Sequence, residues 1–329
     1  MVVVTSAKKQ LNSSHLSTDS PIMAYKSVLL SVTALFASVG LAQDKPPTKP
    51  VISPALDYFN TMEAKLVANM PLQSFTSDDW GAGWIPQDCF DQAKVLGKNP
   101  ADMLVFNVHY SDCPEPWIMC LHKDVASHKS LMIDRFGRVP LQMREYIRHI
   151  SHYPGALNGA AAATNSGDNI AVGGDSMQMA ILAHEISHSL DSHALQQYAS
   201  GQFSLSSIWR DNYNQDSRVP TDYSLTAWAE DFAETGVVGI FDRVVPGGLG
   251  SINPNWHDIF HQYATYQGYL GNIIPPAHKS QCTSRLANSP PVPNGASSEV
   301  RRSARPNVNF KTNIAIIPPA NTSCSGLRI

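Results

Sequence analysis

A stretch from Ile181 to Leu190, with the sequence ILAHEISHSL, constrains this chain more than any other feature. His184 and His188 are four residues apart, so in an α-helix both imidazoles lie on one face, a turn apart. Two imidazoles at that spacing can bind one tetrahedral Zn²⁺ ion at about 2.0–2.1 Å. Glu185 is the only formally charged residue of the stretch, and it can accept a proton from water that the metal acidifies. The stretch therefore predicts a zinc site on a buried helix.

A catalytic zinc ion needs a third protein ligand, and two groups of histidines could supply it. His193 follows His188 by five residues, which places it about 140° around the helix and off the ligand face. His257 and His261 are again at helical spacing, but a polar stripe on a surface helix explains them better.

A third source of the ligand is a predicted helix from Asp222 to Arg243, which carries Glu230 and Glu234 one turn apart. Two carboxylates at that spacing repel each other by roughly a few tenths of a kcal/mol unless a cation or a donor lies between them. Because Trp228 and Phe232 alternate with the acidic residues, we favour a metal ligand on this helix over a solvated acidic face.

The region around these motifs predicts a secreted protein with several segments. Residues 1–22 have no pattern and read as a mis-assigned start, and residues 23–42 have the basic, apolar and small-residue parts of a signal peptide. We expect a proline-rich linker over 43–56, a folded body over 57–282 and a loosely ordered basic tail over 283–329. The apolar run is too short for a comfortable membrane span.

Charge and cysteine usage narrow the function classes. The chain has 24 Lys and Arg against 27 Asp and Glu, so no basic excess predicts nucleic-acid binding. All five cysteines follow the signal peptide, which permits two disulfides and leaves one thiol over. Cys113 and Cys120 are close enough in sequence for a short-loop disulfide, and a Cys282–Cys324 disulfide would attach the tail to the body, but the sequence does not decide the pairing. Asn321 begins an N-glycosylation sequon.

Local patterns predict two strands and four helices in the body. The predicted strands are residues 102–109 and 169–172. The predicted helices are residues 139–150, a zinc helix capped by Asp175 or Ser176 and ending near Ser192, residues 222–243 and residues 255–270.

The two helices resemble the gluzincin arrangement of zinc metallopeptidases, in which an HExxH helix and a second, glutamate-bearing helix bind one zinc ion. The closer resemblance is to the anthrax lethal-factor-like branch. That branch has HExxHxxD, and later a tyrosine seven residues before the glutamate of a glutamate–aromatic–alanine–glutamate cluster. The matching residues are His184, Glu185, His188, Asp191, Tyr223, Glu230, Phe232, Ala233 and Glu234.

The resemblance implies an α+β, zincin-like fold with a small sheet upstream of the HExxH helix. It implies a zinc peptidase, and the signal peptide makes this peptidase a secreted one. We expect its peptide or protein substrate to add itself as a strand beside an edge strand upstream of the zinc helix, at residues 169–172. The implied roles are zinc ligands His184, His188 and Glu230, general base Glu185, oxyanion stabiliser Tyr223, and ligand-orienting groups Glu234 and Asp191.

Other functions fit the sequence as well. The signal peptide and the sequence HEISHSLD give a weaker resemblance to secreted fungal proteins associated with conidiation. This favours a cell-surface or cell-wall interaction protein whose zinc site is structural or vestigial, as do the basic tail and the unmatched N-terminal half. Glu185 and Tyr223 count against it, because a structural site needs neither. A zinc hydrolase of non-peptide substrates is the third hypothesis.

Overall fold

The computed structural model describes residues 44–158, 161–275, 281–296 and 306. The predicted extension 1–22, signal peptide 23–42, Cys324 and Asn321 all lie outside these residues. Within the described part, no helix is long and apolar enough to cross a membrane.

A six-stranded mixed sheet, in the order β1-β3-β4-β5-β7-β6, forms the middle layer of the body. Strands β4, β5 and β7 are parallel, and the other contacts are antiparallel. A two-stranded sheet pairs β2 with β8. The strands are β1 (Phe75–Asp79), β2 (Trp84–Pro86), β3 (Met103–Tyr110), β4 (Trp117–His122), β5 (His149–Tyr153), β6 (Ala163–Ser166), β7 (Asn169–Gly173) and β8 (Pro291–Pro293). Both predicted strands are confirmed, as β3 and β7.

The predicted position of β7 at the sheet edge is wrong. β7 lies between β5 and β6, and β6 is the edge strand. Because β6 and β7 are joined by the two-residue turn at Gly167 and Asp168, the chain folds back and covers the side of β7 that the prediction left open. Gly167 and Asp168 have φ angles of 57° and 65°, because a two-residue type I′ hairpin turn requires a positive φ at both of its central residues.

Helices pack on both faces of the sheet, so the fold is α+β as predicted. They are α1 (Glu63–Asn69), α2 (Gln87–Val95), α3 (Lys129–Arg138), α4 (Leu141–Arg144), α5 (Met179–His193), α6 (Ser207–Gln215), α7 (Trp228–Val244) and α8 (Phe260–Tyr269). A π-helical turn, Tyr58–Met62, precedes α1, and 3₁₀ turns occur at Pro100–Asp102, Lys123–His128, Phe203–Leu205, Tyr223–Leu225, Leu249–Ser251 and Trp256–Ile259.

Side chains alternate along the central strands between two apolar cores. Ile170 and Val172 of β7 face the large core, which contains α5 and α7. Ala171, between them, faces a smaller core with Cys89 and Ala93 of α2. The sheet therefore separates α5 from α2.

Two predicted helix boundaries differ from the structure because tertiary contacts decide them. The helix predicted over residues 139–150 is only α4, since His149 already pairs with Ile118 as part of β5. The helix predicted to begin near Asp175 begins at Met179 instead. Its first amides are capped by a distant residue, because Glu63 accepts hydrogen bonds from the main-chain nitrogens of Met179 and Ala180 at 2.6 and 3.3 Å.

The other two predicted helices each begin with a separate short turn. Residues 222–243 divide into the Tyr223–Leu225 turn and α7, with Ala227 extended between them at φ −159° and ψ 158°. Residues 255–270 divide into the Trp256–Ile259 turn and α8.

The segment predicted as a proline-rich linker packs against the body. The main chain of Ile52 donates to Val219 at 2.9 Å, and Val219 donates back to Pro50 at 3.0 Å. Lys49 donates to the main-chain carbonyl of Tyr213. Ile52 is 1% exposed, so burial of an apolar side chain holds this segment on the surface before the Tyr223–Leu225 turn.

Residues 281–294 also pack against the body, past the boundary predicted at Cys282. Buried Arg285 donates to the main-chain carbonyls of Glu115 and Pro116. Glu145 accepts hydrogen bonds from the main-chain nitrogens of Thr283 and Ser284. The Arg285 guanidinium of this segment is therefore used for hydrogen bonds inside the body.

The structure contains disulfides between Cys89 and Cys120 and between Cys113 and Cys282, so neither of the two pairings considered from the sequence forms. Cys113 and Cys120 are close in sequence but face different cores, on opposite sides of the sheet. The first disulfide joins α2 to β4, and the second fixes the start of the 281–294 segment. Two disulfides agree with the predicted number and with an extracellular protein.

Helices α5 and α7 approach closely at Gly236. A Cβ atom at this position would lie 2.2 Å from Ser187 Oγ and 2.9 Å from Ser187 Cβ. Only glycine permits this approach, which brings the histidines of α5 and the carboxylates of α7 to one place.

Replacement of Gly236 by alanine is predicted to destabilise the fold by about 1–3 kcal/mol, because the two helices must separate. The matched control is Gly268→Ala in α8, where a Cβ meets no atom within 4 Å. The control is expected to be neutral or to stabilise by up to about 1 kcal/mol through helix propensity. Urea unfolding measures both changes, and equal effects of the two substitutions would contradict this packing argument.

Candidate metal centre

Helix α5 is buried along almost its whole length, which explains why its sequence is so poor in charge. His184 and Glu185 have no exposed surface, and His188 is 2% exposed. The helical spacing predicted from the sequence is present, and the two imidazole rings lie 4.9 Å apart at an angle of 83°. The two rings are therefore close enough for one nitrogen of each to bind the same metal ion.

Three ligand atoms form a nearly equilateral triangle between α5 and α7. His184 Nε2 lies 3.2 Å from His188 Nε2 and 3.2 Å from Glu230 Oε2. His188 Nε2 lies 3.3 Å from the same Glu230 oxygen. Within the described part of the chain, these three residues are the one group of histidine, cysteine and carboxylate side chains close enough to hold a metal ion together.

The size of this triangle fits zinc. In a tetrahedral site with bonds of about 2.0–2.1 Å, any two ligand atoms are separated by about 3.3–3.4 Å. The observed sides of 3.2–3.3 Å match that separation. Two imidazole nitrogens and one carboxylate oxygen are also a donor set that zinc commonly takes in catalytic sites.

Glu234 contacts the other nitrogen of His184. Its Oε1 lies 2.9 Å from His184 Nδ1, and Thr221 Oγ1 donates to its Oε2 at 2.7 Å. The hydroxyl of Tyr58 donates to the main-chain carbonyl of Glu234 at 3.1 Å. A carboxylate at Nδ1 fixes the proton there and leaves the Nε2 lone pair for a metal, as in many histidine-ligated sites. This arrangement is the one expected for the predicted ligand-orienting role.

The electrostatics of the site favour a cation among these side chains. Burial alone would lower the pKa of His184, but its hydrogen bonds to Glu230 and Glu234 outweigh burial and raise the pKa to about 9. Burial would raise the pKa of Glu230, but neighbouring His188 and His184 lower it to about 2. Glu230 thus stays ionised and places a negative charge beside the two imidazoles.

Asp191 lies one turn beyond His188 and binds Ser204. Its two oxygens accept from the main-chain nitrogen and the hydroxyl of Ser204, both at 2.7 Å. Burial raises the pKa of Asp191 to about 6 in spite of these hydrogen bonds. These hydrogen bonds hold the Asp191 side chain of α5 against the Phe203–Leu205 turn, and its orienting role toward His188 stays a prediction.

The predicted base follows His184 in the chain, and the predicted oxyanion stabiliser lies near His184 in space. Glu185 is next in the chain, and its main-chain carbonyl accepts from Asn165 Nδ2 of β6 at 2.7 Å. Asn165 also donates to Ser189 Oγ at 2.8 Å, so the edge strand is fastened to the HExxH helix. The ring of Tyr223, half-buried, lies 6.0 Å from the ring of His184.

The other histidines considered as ligands lie elsewhere. His193 Nε2 is 3.1 Å from Asp168 at the β6–β7 turn, as its position on a different helix face requires. His257 stacks on Trp256 at 3.5 Å, and His261 Nδ1 lies 2.9 Å from Asp216.

Sequence reasoning missed four residues that hold this site in place: Glu63, Asn165, Ser204 and Thr221. Each lies outside the two motif helices, and each acts through a hydrogen bond to a residue distant in sequence. No spacing rule links them to the HExxH motif.

A sequence profile described as conidiation-specific protein Con-13 matches residues 56–251. That range covers more than half of the chain and includes both motif helices. The chain belongs to the Con-13 family. Conidiation-specific protein 13 of Neurospora crassa is 31% identical over 173 residues, which are 52% of this chain and 50% of that protein. The chain thus spans about half the length of the curated relative that it matches.

These comparisons support the weaker of the two resemblances drawn from the sequence, the one to fungal conidiation-associated proteins. They give no support to the lethal-factor-like resemblance, so the zincin-like fold and the peptidase activity stay predictions. No solved structure matches the chain.

Loss of a ligand is predicted to abolish zinc binding. His184→Ala and Glu230→Ala should retain almost no zinc after dialysis, whereas wild type should hold about one ion per chain. Glu234→Gln should keep zinc with about 10–100-fold lower affinity, because only the orientation of His184 changes.

The matched controls are His193→Ala and His261→Ala, which remove imidazoles paired with Asp168 and Asp216. Both should bind zinc as wild type does when metal content is measured by mass spectrometry. Normal zinc content in Glu230→Ala would rule out the proposed ligand set.

Proposed function

We propose that this Con-13 family member is a secreted, zinc-dependent hydrolase of peptide bonds. The triangle of His184, His188 and Glu230 supports the proposal, since its dimensions fit zinc and Glu185 follows the first histidine. A structural zinc site has no need of a carboxylate at that position. The predicted signal peptide and the two disulfides support secretion.

The chain's own residues would perform the proton transfers and hold the substrate. Zinc bound at the triangle would supply Lewis acidity, acidifying water and polarising a carbonyl group. Glu185 would accept the proton of the attacking water and pass it to the leaving amine. The Tyr223 hydroxyl would donate a hydrogen bond to the oxygen on which negative charge develops.

The edge strand β6 lies beside the HExxH helix, because Asn165 donates to the main-chain carbonyl of Glu185. Ala163 and Asn165, whose main-chain groups point away from β7, are 0% and 4% exposed, so the predicted pairing of a peptide with a strand edge finds no open edge at β6.

The second candidate is a cell-surface or cell-wall interaction protein with a structural zinc site. Two observations favour it: Glu185 has no exposed surface, and the related Neurospora protein is named for conidiation rather than for an activity. A zinc hydrolase of non-peptide substrates is also compatible with the same ligand set.

Glu185→Gln is predicted to abolish hydrolysis, because the glutamine amide cannot accept the proton of the attacking water. It should leave zinc bound, because residue 185 is not one of the proposed zinc ligands. The measurement is digestion of casein and of a peptide library, alongside zinc content. A chelator should stop wild-type cleavage, and added zinc should restore it.

If Glu185→Gln cleaves as fast as wild type, the assignment of the base is wrong. Full zinc content in wild type with no cleavage of either substrate would favour the interaction protein or a non-peptide hydrolase.

A further inference from the structure

The outer edge of β1 is an exposed edge of the six-stranded sheet. In the part of the chain that the structure describes, β1 and β6 are the two outermost strands, and β6 is covered at Ala163 and Asn165. Every residue of β1, from Phe75 to Asp79, is exposed. Five spacings between neighbouring strands, each about 4.8 Å, place β1 roughly 24 Å from β6, the strand that contacts the HExxH helix.

Three residues of β1 point their main-chain groups away from the sheet. Trp80 donates to the Val105 carbonyl at 2.9 Å, in the same register that pairs β1 with β3. Because inward and outward groups alternate along an antiparallel strand, the main chains of Phe75, Ser77 and Asp79 point outward. Among the described residues, these outward N–H and C=O groups form no hydrogen bond. Another strand can therefore pair with them.

The two faces of β1 differ in their chemistry. Phe75 is 39% exposed, and its ring lies 6.1 Å from the ring of Tyr110 on the side of the large core. Asp78 projects from the other face, where it accepts from Asn107 Nδ2 at 2.8 Å and lies 2.7 Å from His109 Nε2. Neither partner has the permanent positive charge of a lysine or arginine, so the exposed Asp78 carboxylate attracts a cation.

Asp79 differs from Asp78 because a lysine already neutralises it. Lys129 Nζ lies 2.6 Å from Asp79 Oδ1 and 4.4 Å from the centre of the Phe106 ring. Asp79 shares its face of the strand with Phe75, so this face offers an ion pair and an apolar ring. A strand beside β1 thus meets an apolar surface on one face and the Asp78 carboxylate on the other.

We propose that the outer edge of β1 binds an extended peptide that runs antiparallel to β1 and carries a lysine or arginine opposite Asp78. Phe75 precedes Asp78 by three residues, so an apolar residue three positions after the basic one lies opposite Phe75. Charge favours this partner over a second copy of the chain. Residues 43–282 carry 15 Lys and Arg against 25 Asp and Glu, so two such bodies repel each other and each attracts a basic peptide.

This interaction goes beyond the proposed peptidase activity. The zinc ligands and Glu185 take no part in it, and pairing with β1 does not require cleavage. Hydrogen bonds to the main chain supply the affinity, and the side chains of Asp78 and Phe75 supply the selectivity.

The first test is a titration of full-length Glu185→Gln, chosen so that cleavage does not consume the probe. The probes are three fluorescent nine-residue peptides with leucine three positions after a variable residue, which is lysine, norleucine or glutamate. The lysine peptide is expected to bind about two- to fivefold more tightly than the norleucine peptide, the range of an exposed ion pair, and the glutamate peptide more weakly than both.

Asp78→Asn in the same background should abolish the advantage of lysine. The matched control is Asp211→Asn, which removes an equal charge from the exposed surface of α6 and should preserve the preference. Equal binding of the lysine and norleucine peptides, or equal effects of the two substitutions, overturns the choice of a basic residue.

The second test removes one outward hydrogen-bond donor. Ser77→Pro deletes an N–H group that does not bond to β3, and it should weaken binding of the lysine peptide about tenfold. Ser77→Ala keeps the N–H group and should bind as the parent does. Circular dichroism and zinc content check that Ser77→Pro is folded. Hydrogen exchange needs no variant at β1: the lysine peptide should slow exchange at the Phe75, Ser77 and Asp79 amides.

Three results would contradict the β1 site. The first is equal binding to Ser77→Pro and Ser77→Ala, or no slowing at the three amides. The second is slow exchange of these amides before peptide is added, because another part of the chain or a second copy then covers the edge. The third is loss of peptide binding when a chelator removes zinc, which places the peptide at the metal centre.

The outcomes also separate this proposal from the proposed function. Peptide binding that depends on Ser77 and Asp78, in a protein whose wild type cleaves nothing, supports the β1 site and contradicts the peptidase. Zinc-dependent cleavage by wild type without binding at β1 supports the peptidase and contradicts the β1 site.

Discussion

The close contact of α5 and α7 at Ser187 and Gly236 is the constraint on which the site depends. It lets Glu230 reach across from one helix to the two histidines of the other, with ligand atoms 3.2–3.3 Å apart. A larger residue at Gly236 would move α7 away and enlarge the triangle. The geometry of the metal centre is thus a consequence of backbone packing as much as of the ligands themselves.

Charge burial is the second constraint. His184, Glu230 and Glu234 are each at most 2% exposed, and ionised carboxylates in such surroundings are unfavourable without a compensating charge. A divalent cation at the triangle compensates them directly. The rest of the fold then holds the two helices fixed, through the cap that Glu63 gives α5 and the hydrogen bonds of Asn165 from β6.

Features encoded locally were predictable from the sequence, and features encoded by distant contacts were not. The helical spacing of His184 and His188 and the apolar pattern of β3 lie within single elements, so their positions are close to those expected. The disulfide pairing could not be derived from the sequence, because Cys113 and Cys120 lie on opposite sides of the sheet and spacing does not show this. Thr221 could not be predicted either, because its hydrogen bond to Glu234 joins two separate elements of the fold.

The order of the edge strands and the extent of the body also needed three-dimensional contacts. The sequence predicts β7 at the sheet edge, but the turn at Asp168 brings β7 back alongside β6, and β6 takes the edge position. Proline-rich and basic segments such as 43–56 and 283–329 are usually poorly ordered. Ile52 and Arg285 are nevertheless buried, and each attaches its segment to the body. Composition alone does not report such individual anchoring residues.

X-ray absorption at the zinc edge tests the central claim most directly, because it reports the ligands of the metal in the purified protein. The account predicts about four nitrogen and oxygen neighbours at about 2.0–2.1 Å, with the multiple-scattering signature of two imidazoles. A protein purified without zinc that cannot be loaded, or a zinc spectrum with no imidazole signature, would contradict it.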